Sequence, residues 1–173
     1  MLFGTDGIRG KYGDYPLDSS TIRKIGSAIS KSLDDSGIEK IILAHDGRQS
    51  CDDIYKNLIA GICSTKQYEV VYLGLFPTPA LTYILSQNKS LDAIGIEITA
   101  SHNPYYDNGI KIFDRLGFKI KSHQESKIEK ILSEECEVTK DIELKTSPDD
   151  SIRKKYTSFI SKMLLSKQKP SYK

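Results

Sequence analysis

The chain has 173 residues, with 25 basic and 23 acidic side chains and a formal charge of +2. That length suits one domain with a full core, or one domain with a short appendage, and excludes a large multidomain machine. Apolar residues at 38% and charged residues at 28% exclude a disordered or collagen-like chain, and the near-neutral balance gives no field for nucleic acid.

Residues 1–17 are rich in glycine and polar side chains and read as a loop with one short strand at most. Asp18 or Ser19 can cap a helix whose apolar positions Ile22, Ile25, Ile29 and Leu33 recur at intervals of three and four, with Gly37 to end it. Ile41 to Ala44 then form a short apolar run suited to a buried strand. Ser50 with Asp53 resembles a capping box ahead of a second helical stripe, Ile54, Leu58 and Ile62. Val70 to Leu73 is the next strand, and Thr78-Pro79 opens a helix to about Ser86. Ala93 to Ile98 is the third strand. This αβαβαβ order predicts parallel strands covered by helices, and no GxGxxG follows any strand, which argues against a dinucleotide domain.

Beyond Ser101 the pattern changes. Ile110–Phe113 and Phe118–Ile120 flank a turn near Arg115 to Gly117 and read as a hairpin. Ser122 with Glu125 resembles another capping box, followed by Ile128, Ile131 and Leu132. A last helix is expected from Ser147-Pro148-Asp149-Asp150, with Ile152, Tyr156, Phe159 and Met163 on one face, and residues 166–173 should fray. Residues 121–173 hold 12 basic and 9 acidic side chains against 13 and 14 in residues 1–120, so the basic bias lies away from the candidate chemistry.

No apolar run reaches the roughly 20 residues that a membrane-crossing helix needs. Met1 to Asp6 lack the basic-then-apolar order of a secretory signal. Cys51, Cys63 and Cys136 are an odd, sparse set that suggests reduced thiols in a cytoplasmic setting, with no zinc-ligand spacing. The ten tyrosines form no aromatic–basic array of the kind that stacks nucleic-acid bases.

The stretch richest in chemistry runs from Thr99 to Lys111 and follows the third strand at its carboxyl end, where ligand sites of open α/β sheets collect. A serine hydroxyl there, Ser101, could carry a transferred group, with His102 and Lys111 shaping its charge environment. The same residues would also serve as a turn-rich surface loop. Gly4-Thr5-Asp6-Gly7-Ile8-Arg9-Gly10 sets one arginine among glycines that let an anion approach backbone N–H groups. Asp46-Gly47-Arg48-Gln49-Ser50 follows the strand at Ile41–Ala44. Arg9 and Arg48 are each either bidentate phosphate ligands or structural ion-pair arginines. His45 reads as a strand end, and His123 as a solvent-facing residue near a helix start.

Taken together, Phe3-Gly4-Thr5-Asp6-Gly7-Ile8-Arg9-Gly10 and the Thr99-to-Lys111 stretch resemble the first domain of the α-D-phosphohexomutase family, most of all its bacterial glucosamine-phosphate members. The likeness covers roughly residues 1–160. It implies a three-layer α/β/α sandwich with a mainly parallel mixed sheet, residues 1–150 forming domain I and 151–173 a helix or linker towards a further domain. It also implies that Ser101 carries a phosphoryl group and lends an oxygen to Mg²⁺, and that Arg9 lies near the phosphoserine. His102 and Lys111 would be polar neighbours of that serine, with Lys111 handling the proton of a sugar hydroxyl, and Arg9, Arg48, Asn103 and Lys111 would bind substrate or phosphate. The reaction implied passes phosphate from the serine to glucosamine 6-phosphate, through a hexose bisphosphate, to give glucosamine 1-phosphate.

Departures from the family pattern lead to further expectations. The metal loop of the form DGDGD, and the sugar and final phosphate loops, belong to other family domains and are not in this sequence. His45 to Arg48 lacks one basic residue and the threonine usual there, and Lys154-Lys155-Tyr156 stands where Gly-Arg-Tyr is more usual. The chain by itself is therefore expected to be inactive and to need the missing domains, in the same gene product or a partner chain. A phosphomannomutase or phosphoglucomutase domain, and a non-enzymatic sugar-phosphate or partner-binding domain, are the alternatives. A homodimer through the last helix is also expected.

Overall fold

The computed structural model describes residues 2–34, 36–87, 92–134 and 148–166, the side chains of 165 and 166 excepted. Among these residues five strands form one sheet: β1 (Ile8–Lys11), β2 (Lys40–His45), β3 (Glu69–Leu75), β4 (Ala93–Ile98) and β5 (Asp107–Phe113), in the order β1-β5-β4-β2-β3. Strand β2 pairs in parallel with both β3 and β4, whereas β5 is antiparallel to β4 and to β1. Four of the five strands thus share one direction, and the mixed α/β sheet matches the expected class.

Among the described residues five helices cover it: α1 (Ser19–Ser32), α2 (Cys51–Ile62), α3 (Thr78–Gln87), α4 (Ser122–Ser133) and α5 (Asp150–Ser166). The period-two alternation of the strands sorts the core. Ile8, Ile41, Leu43, Ile94, Ile96, Ile98, Ile110 and Ile112 pack with α1, α2 and α4. Ile42, Ala44, Leu73 and Phe113 pack on the other face with Ala80, Leu81, Ile84 and Leu85 of α3. Helix α5 adds to that second layer by aromatic contacts, Phe159 stacking on Tyr83 at 4.1 Å and Tyr156 meeting Phe76 edge-on at 5.6 Å. On this helix, through which a homodimer is expected, Tyr156 and Phe159 thus contact their own chain, while Met163 is exposed.

Several local expectations need correction. The hairpin is reduced to a single bridge, Phe113 with Lys119; β5 instead begins at Asp107 and pairs with β4 and β1. Asp107-Asn108-Gly109 has turn composition, yet it is strand because Asn108 is buried with its amide donating to Ser50 Oγ at 2.9 Å. Ser50 is consequently not a side-chain cap of α2. In α4 the box is shifted by one, Gln124 accepting from the Lys121 N–H at 3.0 Å. Helix α1 is capped by Asp18, which accepts from Thr21 N–H at 2.9 Å, and it stops at Ser32, with Gly37 in the turn beyond. Asp149 accepts from Ser151 N–H at the start of α5, while Ser147, Cys136 and residues 167–173 lie outside the described residues. Among the described residues no helix is long and apolar enough to cross a membrane.

Candidate active site

The parallel strands end on one rim. From it rise the loop after β2 (46–50) and the loop between β4 and β5 (99–106), with the segment before β1 (4–7) folded over β5 beside them. Gly7, at φ +104°, allows that crossing, since a Cβ there would lie 2.5 Å from the Ile110 carbonyl oxygen. Gly109 similarly lets β5 pass where a Cβ would meet the Ile8 and Thr99 carbonyl oxygens at 2.6 and 2.7 Å.

Ser101 stands exposed at the crest of the 99–106 loop with φ +59°, a left-handed conformation that costs a non-glycine residue about 1–2 kcal/mol. The loop is built to hold it there. Thr99 Oγ1 accepts the Ser101 N–H at 2.9 Å and donates to Asp46 Oδ2 at 2.7 Å. Arg48 ties the loop from below. Its Nη2 donates to the carbonyls of Ser101 (2.9 Å) and Asn103 (3.1 Å), and its Nη1 donates to those of Asp107 (2.9 Å) and Pro104. Its Nε is paired with Asp46 Oδ2 at 2.8 Å, and its side chain is 11% exposed. Arg48 is thus engaged through its whole donor fork within the chain. Burial pushes the Asp46 carboxyl up, but hydrogen bonds from Thr99 and Arg48 outweigh it and leave the group below its ordinary value.

Beside the serine, His102 Nδ1 lies 3.4 Å from Ser101 Oγ. Asn103 links this loop to the adjoining cation: its Oδ1 accepts from Arg9 Nη1 at 3.2 Å and its amide donates to Asp107 Oδ2 at 3.0 Å. Arg9 and Lys111 share one carboxylate. Asp6 Oδ2 receives Arg9 Nη2 at 3.0 Å and Lys111 Nζ at 2.6 Å. The hydrogen bond from Lys111, with the charges of Lys111 and Arg9, lowers the Asp6 carboxyl below its ordinary value despite some burial. Arg9 Nε is buried without a hydrogen-bond partner, beside an open groove of about 460 Å³ lined by residues 2–7. All six residues singled out from the sequence therefore belong to one connected rim: Ser101 and His102 at the crest, Arg9, Asn103 and Lys111 in the Asp6-linked cluster, and Arg48 beneath.

Sequence reasoning did not single out Asp6, Asp46, Thr99 or Glu97. Asp6 and Asp46 lie within quoted motifs, and pairing across 53 to 105 residues reveals their roles. Glu97 is the one charged residue in the strand Ala-Ile-Gly-Ile-Glu-Ile, and it is fully buried with both carboxyl oxygens unpartnered. That lone charge in an apolar strand was the available signal. His45, by contrast, is a strand-end residue as expected, its Nδ1 accepting from Gly47 N–H at 3.0 Å and its Nε2 meeting the Tyr72 hydroxyl at 2.9 Å.

Among the described residues there is no group of three or more His, Cys, Asp or Glu side chains placed to hold a metal ion. Ser101 lies beside a histidine, and the nearby Asp46 is engaged by Thr99 and Arg48. The donor set of the described residues therefore does not by itself fit an octahedral Mg²⁺ site.

Comparison with known proteins identifies the family and the fold. A family model described as phosphoglucomutase/phosphomannomutase, alpha/beta/alpha domain I, matches residues 1–139. Phosphoglucosamine mutase 2 of Shewanella amazonensis is 42% identical over 130 residues, 75% of this chain and 28% of that protein. Phosphoglucosamine mutase of Vibrio vulnificus (strain YJ016) is 42% identical over 142 residues, 82% of this chain and 31% of that protein. The crystal structure of a phosphoglucomutase/phosphomannomutase family protein from Burkholderia thailandensis aligns with a TM-score of 0.66 at 28% identity, covering 77% of this chain and 30% of that one. The chain spans under a third of the length of these relatives.

Proposed function

The chain belongs to the phosphoglucomutase/phosphomannomutase family, and from that premise we propose that it is the phosphoserine-bearing domain of a phosphoglucosamine mutase. The observation that carries this reading is Ser101, exposed on a strained crest whose backbone carbonyls are clamped by Arg48. A side chain that accepts and returns a phosphoryl group must keep its hydroxyl at a fixed point and open to a second molecule, since positioning and electrostatics supply most of the catalysis. The names of the relatives at 42% identity support glucosamine phosphate as the substrate.

In this reading Ser101 gives its phosphoryl group to glucosamine 6-phosphate and regains one from the resulting bisphosphate, leaving glucosamine 1-phosphate. Arg9 and Lys111 place two positive charges beside the transferred group, and Asp6 holds both in position. Lys111 handles the proton of the sugar hydroxyl. His102 and Asn103 line the serine, and Arg48 acts from below as the loop's clamp instead of touching phosphate. Mg²⁺, if bound in the complete enzyme, would add charge neutralisation at the phosphoryl group, its carboxylate ligands coming from another domain. The work of this chain is to present the serine, with residues 151–173 leading towards the domains that complete the centre in a cytoplasmic enzyme.

The test is a chimera in which this chain replaces the first domain of the Vibrio vulnificus phosphoglucosamine mutase. Interconversion of the two glucosamine phosphates is expected from it and not from the isolated chain. Ser101→Ala should abolish the reaction, and a chimera that keeps its activity after that change would remove Ser101 from the mechanism. Family naming also admits a phosphomannomutase or phosphoglucomutase reading, which a substrate panel on the same chimera separates.

A further inference from the structure

Glu97 has no role in the scheme above, yet its placement is unusual for a charged residue. It is 0% exposed and neither carboxyl oxygen has a hydrogen-bond partner, a state that costs several kcal/mol for an anion. Its neighbours are defined by the sheet. In the β4–β5 register Glu97 is directly opposite Lys111, so the two side chains rise from the same face with Cβ atoms about 5 Å apart. That face is the α3 side, because a Cβ on Gly95, two residues earlier, would strike Leu81 and Leu85 of α3.

Two charged groups act on Glu97 from the elements around it, Lys111 from β5 and Asp46 beyond β2, while Arg9 rises from β1, one strand further away. Helix α3 contributes no Asp, Glu, Lys, Arg or His, and its Tyr83 is stacked on Phe159. Lys111, whose side chain is 12% exposed, therefore lies between two carboxyl groups: Asp6 at the rim, half-exposed and in contact, and Glu97 beneath, buried and without a partner.

We propose that Glu97 is a positioning residue for Lys111, the inner of two carboxyl groups that compete for its ammonium. With Asp6 engaged, Lys111 points outward to the rim and Glu97 keeps its proton. When the Asp6 carboxylate is removed or ionisation creates an inner anion, the ammonium is drawn inward and away from the sugar hydroxyl. The inference rests on the assignment of Lys111 to proton handling, but the contact itself is measurable without any phosphoryl transfer.

Burial, helped by the charge of Asp46 and opposed by that of Lys111, pushes the Glu97 carboxyl up to about 8, so its titration falls in an accessible range. The experiment follows the ¹³C side-chain carboxyl resonance of Glu97 and the ¹⁵Nζ resonance of Lys111 against pH in this chain. Asp6→Asn should lower the Glu97 midpoint by about one pH unit, as Lys111 turns inward, and Lys111→Met should raise it. In the Lys111→Met background the Asp6→Asn change should leave the midpoint in place. An unmoved midpoint in Asp6→Asn overturns the proposal. So does a fall of equal size without Lys111, which would assign the shift to the charge of Asp6 alone. Loss of Ser101 phosphorylation affects none of these readings, so failure here and failure of the mutase assignment are distinguishable.

Discussion

Ser101 joins backbone geometry to chemistry in one residue. Its φ of +59° suits glycine better than serine, so Ser101→Gly should keep stability within about 1 kcal/mol while removing the phosphoryl acceptor. Ser101→Val, β-branched in the same conformation, should lose about 1–2 kcal/mol. Urea denaturation of the three proteins checks both. Arg48 carries the loop differently. Arg48→Ala removes donors from four carbonyls and Asp46, with an expected loss of about 3 kcal/mol and faster amide exchange across residues 101–107. Arg48→Lys should recover only part, because a single ammonium cannot reproduce the planar fork. Glu97 sets a pH dependence. Its folded value, about 8, lies above the ordinary 4.5, so the folded state binds the extra proton in between. Its contribution is fully present below pH 4.5 and is lost as pH rises towards and through 8. Glu97→Met should flatten the stability profile across that window, as urea midpoints at several pH values would show. The sequence motifs pointed to the serine and the arginines, but the clamp role of Arg48 depends on carbonyls more than 50 residues away and has no local signature.

Among the elements, helices were the most legible because their apolar residues recur with the helical period and are buried as expected, Ile22, Ile25 and Ile29 in α1 and Ile54, Leu58 and Ile62 in α2. Strand β5 was only half legible. Its first three residues, Asp107-Asn108-Gly109, have turn composition, and only the buried hydrogen bond of Asn108 and the close approach of Ile8 and Thr99 to Gly109 make them strand. Misreading them hid the antiparallel pairing that sets Lys111 opposite Glu97. Where α1 crosses α2, two glycines permit backbone contact: a Cβ on Gly26 would lie 2.2 Å from the Leu58 carbonyl oxygen, and one on Gly61 2.0 Å from that of Arg23. Gly26→Ala should therefore destabilise the fold by about 2 kcal/mol, although alanine is the better helix former by about 1 kcal/mol. A denaturant midpoint equal to or above that of the parent protein would show that the helices separate without cost.

At the scale of the whole molecule, the fold gathers its chemistry on one rim and leaves it open. The loops after β2 and β4 and the segment before β1 bring a serine, a histidine, two cations and their shared carboxylate together. The matched region makes up 28% and 31% of the two phosphoglucosamine mutases, and in the proposed reading the opposite side of the reaction centre comes from further domains. Family and fold class were legible from two motifs and the order of the elements; the division of labour within the rim was not, because it depends on contacts between distant loops. The most direct measurement is phosphopeptide mapping of the chimera with the Vibrio vulnificus domains, incubated with a labelled hexose bisphosphate and checked for folding by circular dichroism. Label confined to the peptide containing Ser101, and absent from Ser101→Ala, is the predicted result. A folded chimera that takes up no label, or carries it on any other residue, would contradict the account.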